Sequence, residues 1–282
     1  MQDKICEVPP SQWEELRDMF AADWPRNIYA YNLLENYLQW RERDPKIKNL
    51  KIFALNGDYS DGTFVVVDRY QIFVNTLDES QLRLKKLLDL LDWSKGFQVH
   101  AVLKRYRPLI MEIIEKKNLV AELEFHTYMQ YLPKEEAEHF DETPPDGITL
   151  KPMTSLEHAI QANKAWLFHD EGSLFFIKRL MEWNENIGAF NEKDELVAWC
   201  FRFQFGGLGL LHVTDKYKRK GLGSTIVKTM AKRLALLGSD TIASVVTHNQ
   251  PSLNMFQKLG FREIDEVSWI HTVPLVPSKW VD

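Results

Sequence analysis

The residues whose types and spacing could do chemistry lie between positions 209 and 237. Asp215-Lys-Tyr-Lys-Arg-Lys-Gly-Leu-Gly223 sets Lys216, Lys218, Arg219 and Lys220 directly ahead of Gly221 and Gly223. A short apolar run, Gly209 to Thr214, reads as a strand leading into this loop. Leu222, Ile226, Met230, Leu234 and Leu237 follow at the three-to-four spacing of one helical face. Strand, glycine turn and helix start together make an anion site. The first N–H groups of a helix have no internal acceptor, and the helix dipole adds partial positive charge there. Glycine carries no side chain, so a phosphate can approach the backbone closely. Two familiar phosphate loops are excluded by the residues themselves. A dinucleotide fingerprint needs glycine where Ile226 stands, and a P-loop needs Gly-Lys-Ser/Thr where the chain reads Gly223-Ser224-Thr225.

A second constellation lies downstream: Val246-Thr-His-Asn249, then Phe256-Gln-Lys-Leu-Gly260-Phe261. Residues 211–224 and this second stretch, in this order and spacing, resemble the two acyl-CoA-binding motifs of the GNAT acyltransferase superfamily. Those motifs are a strand followed by Arg/Gln-x-x-Gly-x-Gly/Ala, then a strand ending in Asn, a helix and Gly-Phe. Lys218 stands where the first motif has Arg or Gln. Trp269 and the closing strand pattern are similar to the glycine N-acyltransferase-like branch. The resemblance implies acetyl-CoA or another acyl-CoA as co-substrate. It assigns the pantetheine to the backbone of Leu211, Val213 and Thr214. It assigns the pyrophosphate to Lys218, Arg219, Lys220, Gly221, Leu222, Gly223 and Ser224. Asn249, Ser252 and Phe256 complete the implied cofactor contacts.

Acyl transfer to an amine needs a free lone pair, and an ordinary alkyl amine has a pKa of ~10.4. A base or a desolvating pocket must therefore remove its proton. His212 is the imidazole on the motif strand, with an ordinary pKa of ~6.5 suited to that task. A backbone N–H of the strand over 209–214 could hold the oxyanion if the strand splays from its neighbour. By the same resemblance, glycine N-acyltransferases place a carboxylate near the start of this strand, where this chain has Gly206-Gly207. The usual tyrosine acid is replaced by Phe256, and a thiolate of pKa ~8.5 can leave without it. His169, Asp170 and Glu171, between two helices, form a second set that could reach an acceptor.

These residues need elements to position them, and the pattern of elements occurs twice. The first half reads as strand 4–8, helix 12–22, helix 27–43, strands 50–55, 63–68 and 71–75, helix 80–93, strand 97–102, helix 106–117 and strand 121–132. Asp61-Gly62 marks a turn, Trp24-Pro25 a break, and Pro108 suits the first turn of a helix. Residues 133–147 are acidic and proline-bearing, a linker composition. The order then restarts: strand 148–151, helices 155–167 and 174–183, strands 187–190, 196–205 and 209–214, helix 222–237, strand 242–247, helix 252–259 and a closing strand pair over 261–273. The expected fold is α+β (α/β/α): two tandem GNAT-like domains with mixed, largely antiparallel sheets. The expected boundaries are 1–133 for a degenerate domain, 134–147 for the linker and 148–282 for the catalytic domain. The loop Thr76-Leu-Asp-Glu-Ser80, at the place of the basic loop, has no glycine and two carboxylates, which repel a pyrophosphate. Only the second half is then expected to bind the cofactor, the first walling the acceptor pocket or stabilising its sister.

Composition agrees with a globular protein: 282 residues, 45% hydrophobic and 27% charged. A net charge of -5 argues against a nucleic-acid partner. No apolar run reaches the ~18 residues of a membrane span, and Met-Gln-Asp-Lys-Ile-Cys6 does not read as a signal peptide. Cys6 and Cys200 make neither a disulfide framework nor a metal site, so an intracellular setting, cytoplasmic or mitochondrial, is expected. The function these residues predict is an acyl-CoA-dependent N-acyltransferase of N-acetyltransferase type, without a metal, acting on a small-molecule amine or amino acid. The alternative is an acyl-CoA-binding sensor or scaffold that has lost turnover.

Overall fold

A computed structural model of the chain describes residues 2–170 and 172–276. Its residues divide into two compact units, one drawn from Met1–Tyr128 with Asp265–Asp282, the other from Met129–Ile264.

In the first unit, β1 (Ile5–Glu7) precedes helices α1 (Trp13–Asp18) and α2 (Ile28–Arg43). An antiparallel meander follows, β2 (Leu50–Leu55), β3 (Phe64–Asp68) and β4 (Gln71–Asn75). In β2, Ile52 and Ala54 are buried while Lys51 is exposed, the period-two alternation of a strand. Then come α3 (Leu82–Leu90), β5 (Gln98–Leu103), α4 (Arg107–Lys116) and β6 (Ala121–Leu132), whose residues from Met129 onward belong to the second unit. Helix α1 is shorter than the predicted 12–22, because the chain turns after Asp18 and Asp23 takes a left-handed conformation.

Unit 2 repeats the order. A four-residue helix, α5 (Lys134–Ala137), is followed by β7 (Thr149–Lys151), α6 (Leu156–Ala165), α7 (Ser173–Trp183), β8 (Asn186–Phe190), β9 (Leu196–Arg202) and β10 (Gly207–Val213). After them come α8 (Leu222–Leu236), β11 (Thr241–Val246) and α9 (Gln250–Lys258). The sheet runs β7-β8-β9-β10-β11, antiparallel except for the parallel β10–β11 pair; unit 1 has its counterpart in the parallel β4–β5 pair. One face of the sheet is covered by α8. Ile226, Val227, Met230 and Leu234 are fully buried against Ala189, Val197, Cys200, Leu208 and Ala243. Burial of one such side chain stabilises by roughly 1.5–3 kcal/mol, so this face holds the helix and the loop ahead of it in place.

Three expectations change. Residues 133–147 are not a free tether: Ala137 is buried in the α8 core, Phe140 packs on it, and Lys232 donates to the Phe140 carbonyl at 2.9 Å. The strand predicted over 196–205 stops at Arg202, since Phe203–Gly206 form a turn closed by Gly206 N–H to Phe203 C=O, with Gly206 at φ +83°. The closing strand pair is one strand, β12 (Arg262–Thr272), because no glycine, proline or asparagine interrupts the run. From Val267 to His271 it pairs antiparallel with β5. Thr272 Oγ1 accepts the Phe97 N–H at 2.8 Å, and Trp269 Nε1 donates to Thr127 Oγ1 at 3.0 Å. The sheet of unit 1 is thus completed by the C-terminal strand. Among the described residues no helix is long and apolar enough to cross a membrane.

Candidate functional site

The site is built on the end of β10. Its parallel ladder with β11 joins Gly207 to Ile242 and Leu208 to Ala243, and the pairing goes no further. On the other side the register with β9 shifts between Gly209 and His212, where Leu210 sits at φ +54°. Such a bulge twists and re-aims a strand. Beyond it, Thr214 donates its N–H to Val197 O at 2.9 Å and accepts from the Tyr217 N–H at 2.9 Å. Backbone groups alternate in direction along a strand, so those of Leu211 and Val213 face the edge that β11 has left. Both backbone groups of Thr214 are thus bonded within the protein.

The chain then passes through a turn at Asp215–Tyr217 into Arg219 (φ +61°) and Gly221 (φ +81°), which is the N-cap of α8. The first helical hydrogen bond runs from Thr225 N–H to Gly221 C=O at 3.0 Å. No side chain caps α8 and no acidic residue stands in its first turn. Among the described residues the N–H groups of Leu222, Gly223 and Ser224 therefore point out of the helix end without a protein acceptor. A Cβ at Gly221 would meet nothing within 4 Å, but its left-handed φ disfavours any side chain. At Gly223 a Cβ would touch only Met255 Sδ and Val213 Cγ2, at 3.5 and 3.7 Å, so the protein itself does not require glycine there. Lys218 Nζ pairs with Asp215 at 2.7 Å on an exposed surface, and Lys220 Nζ lies 5.3 Å over the Tyr217 ring. Arg219 and Lys216 are exposed.

The second-motif residues have other duties. Asn249 Oδ1 accepts the Ser252 N–H at 3.3 Å and caps α9. Phe256 is 3% exposed and packs edge-on to Phe261 at 4.9 Å inside the core with Leu222. Packing beneath the helix start turns its ring inward.

His212 stacks on Trp199, ring centroids 4.6 Å apart and 20° from parallel. Burial, reinforced by the Lys218 charge, pulls its pKa below the ordinary histidine value, with Asp215 opposing. The imidazole is therefore neutral at pH 7, as a proton acceptor must be. His169 and Asp170 bond within their own turn, to Trp166 O and to the Gly172 N–H, and Glu171 lies outside the described residues.

Residues that the sequence reading passed over cover the start of β10. A Cβ at Gly207 would strike the Phe205 ring, and one at Gly209 the Phe203 ring. Phe203 stacks on Phe176 at 5.9 Å, and Phe176 lies 5.9 Å from Trp166. The alternation of phenylalanine and glycine in Phe203-Gln-Phe-Gly-Gly-Leu-Gly209 is the signal that could have disclosed this lid of rings.

The corresponding place in unit 1 is closed differently. The β4–β5 ladder also stops after two pairs, Gln71–Gln98 and Ile72–Val99. There the Tyr106 hydroxyl accepts the Thr76 N–H at 3.2 Å and approaches Thr76 O at 2.7 Å and Asn75 Oδ1 at 3.1 Å. A side chain of the protein thus occupies the backbone groups that β10 leaves open.

The fold is that of two tandem GNAT-like domains. Residues 186–270 match the family described as FR47-like protein. An N-alpha-acetyltransferase from Sulfurisphaera tokodaii is 22% identical over 129 residues, covering 40% of this chain and 77% of the relative. A solved Drosophila protein superposes over 98% of this chain and 100% of its own, with TM-score 0.87 at 22% identity. A tandem GNAT protein from the clavulanic acid biosynthesis pathway covers 99% of this chain and 100% of its own, with TM-score 0.54 at 14% identity.

Proposed function

We propose that unit 2 binds acetyl-CoA or another acyl-CoA and transfers the acyl group to the amine of a small molecule or amino acid. The observation that carries the reading is one continuous track of open backbone. It starts at Leu211 and Val213 on the splayed edge and ends at the uncapped N–H groups of Leu222 to Ser224. Pantetheine amides can pair with the first part as an added strand, and a pyrophosphate fits the second. Arg219, Lys220 and Lys216 supply charge around it. In the reaction the amine lone pair attacks the thioester carbonyl. The C–N bond forms, the C–S bond breaks, His212 takes the amine proton, and the thiolate leaves as the weak base it is.

The cofactor is assigned to residues 148–282 alone. Residues 1–133, whose sheet β12 completes, are read as a GNAT-like domain without a CoA loop, a reading supported by the Tyr106 plug and the carboxylates Asp78 and Glu79. Kinship with the glycine N-acyltransferase-like branch rests on the sequence pattern around Trp269. A carboxylate base at the start of β10 has no room at Gly207 or Gly209, so the proton acceptor assigned here is His212. A second reading, a CoA-binding sensor, draws on Phe256, which offers no hydroxyl to the leaving thiolate. Steady-state release of free CoA from acetyl-CoA with a panel of amines and amino acids tests the proposal. Amine-dependent release supports the enzyme; saturable CoA binding without release for any amine supports the sensor.

A further inference from the structure

A cavity of about 260 Å³ in unit 1 plays no part in this reaction. It opens between the loop after β4, the residues after β5 and the connection from α1 to α2. Arg105 supplies its cation. The guanidinium rests on the Tyr106 ring at 4.8 Å and makes no ion pair among the described residues. Gln81 fixes the backbone of Arg105 by donating Nε2–H to its carbonyl at 3.0 Å. Gln81 does so from a left-handed conformation, φ +55°, which is rare for its residue type and is retained where surrounding structure enforces it.

The same wall carries the opposite sign. Asp78 accepts from the Ser80 amide at 3.0 Å and the Ser80 hydroxyl at 2.5 Å and has no cation within ion-pair distance among the described residues. Among the described residues Glu79 reaches a cation only at 3.7 Å, in Arg26, which Asp23 shares at 3.4 Å. Met19, Ala22 and Leu77 supply an apolar side. A guanidinium that feels Asp265 only from beyond ion-pair distance, two carboxylates and an apolar wall in one small cavity match a zwitterion with a short apolar arm. At ~30 Å³ per water-sized group, the volume holds about nine non-hydrogen atoms, far fewer than a nucleotide.

We propose that this cavity binds a free apolar α-amino acid of the size of L-valine or L-leucine, its carboxylate on Arg105 and its ammonium toward Asp78 and Glu79. The site lies wholly within unit 1 and does not depend on the acyl-transfer reading. Calorimetric titration of the full chain tests it with L-leucine, L-valine, 4-methylpentanoate (no ammonium) and isoamylamine (no carboxylate). Saturable binding of L-leucine or L-valine is expected, at least ten-fold tighter than either singly charged analogue. Arg105→Met should weaken it at least ten-fold while acyl-CoA affinity stays unchanged. Glu79→Gln, at an exposed position that the fold tolerates, should weaken it several-fold and decides the matter if Arg105→Met does not fold. Absence of saturable binding for both amino acids, equal binding of the singly charged analogues, or full affinity in both variants overturns the proposal.

Discussion

Stacking on Trp199 fixes what His212 can do. A half-buried ring under an indole loses hydration of its charged form, so its pKa falls and it stays unprotonated through the neutral range. The log of kcat/KM should then rise with pH through one ionisation below ~6.5 and be flat above it. His212→Gln should lower turnover about 10²- to 10⁴-fold, abolish that ionisation and leave acyl-CoA affinity nearly unchanged. An ionisation that tracks the pKa of the amine when two acceptors are compared would exclude the histidine. The two loop glycines separate fold from ligand. Gly221→Ala forces a side chain into the left-handed region and should cost ~1–2 kcal/mol of stability. Gly223→Ala has space and sits in a helix, so stability should hold or rise by up to ~1 kcal/mol while CoA affinity falls. Chemical denaturation and calorimetry on both variants check this; unchanged affinity in Gly223→Ala would remove the helix start from the site.

At the scale of elements, the β9–β10 hairpin is shaped by rings lying on glycines. Gly209→Ala must displace Phe203, an overpacking that typically costs 1–3 kcal/mol, roughly, and disturbs the stack with Phe176. Introduced into a Phe203→Ala background, the same substitution should be close to neutral. A double-mutant cycle on unfolding free energies reads the difference, and additive effects would show that the ring does not hold the hairpin. The bulge at Leu210 belongs to the same element. It turns β10 away from β11, and without that divergence the backbone of Leu211 and Val213 would be consumed by the sheet.

At the scale of the molecule, the two units share an order of elements and differ in what closes the splayed strands. Unit 1 closes them with Tyr106, and unit 2 leaves them open. Titration of the full chain with acetyl-CoA is therefore expected to give one site per chain; a stoichiometry of two would contradict the asymmetry. Unit 1 also needs the C-terminal strand. Val267 and Ile270 are fully buried and Thr272 anchors Phe97, so a fragment ending at residue 133 lacks part of its own sheet. Such a fragment should show no cooperative thermal transition by circular dichroism, whereas the full chain should. A cooperative melt of the fragment would show that β12 is dispensable to it.

Local signals determined much of this protein without any structure. Periodicities of two and 3.6, turn residues and helix breakers placed nearly every element, because these record only how each segment meets its neighbours' apolar faces. The duplicated order, Gly221 at the mouth of α8 and the basic loop ahead of it were legible for the same reason. What the sequence could not decide were features set by contacts between residues far apart in the chain. Phe256 and Phe261 bury each other, Tyr106 fills the strand end at Thr76, Trp199 carries His212, and the strand after Asp265 completes the sheet of residues 1–128. Each depends on which atoms approach within a few ångströms in three dimensions, and one-dimensional patterns do not encode that distance. The open edge of β10 is of this kind too: an absence of pairing is visible only when both strands are in place.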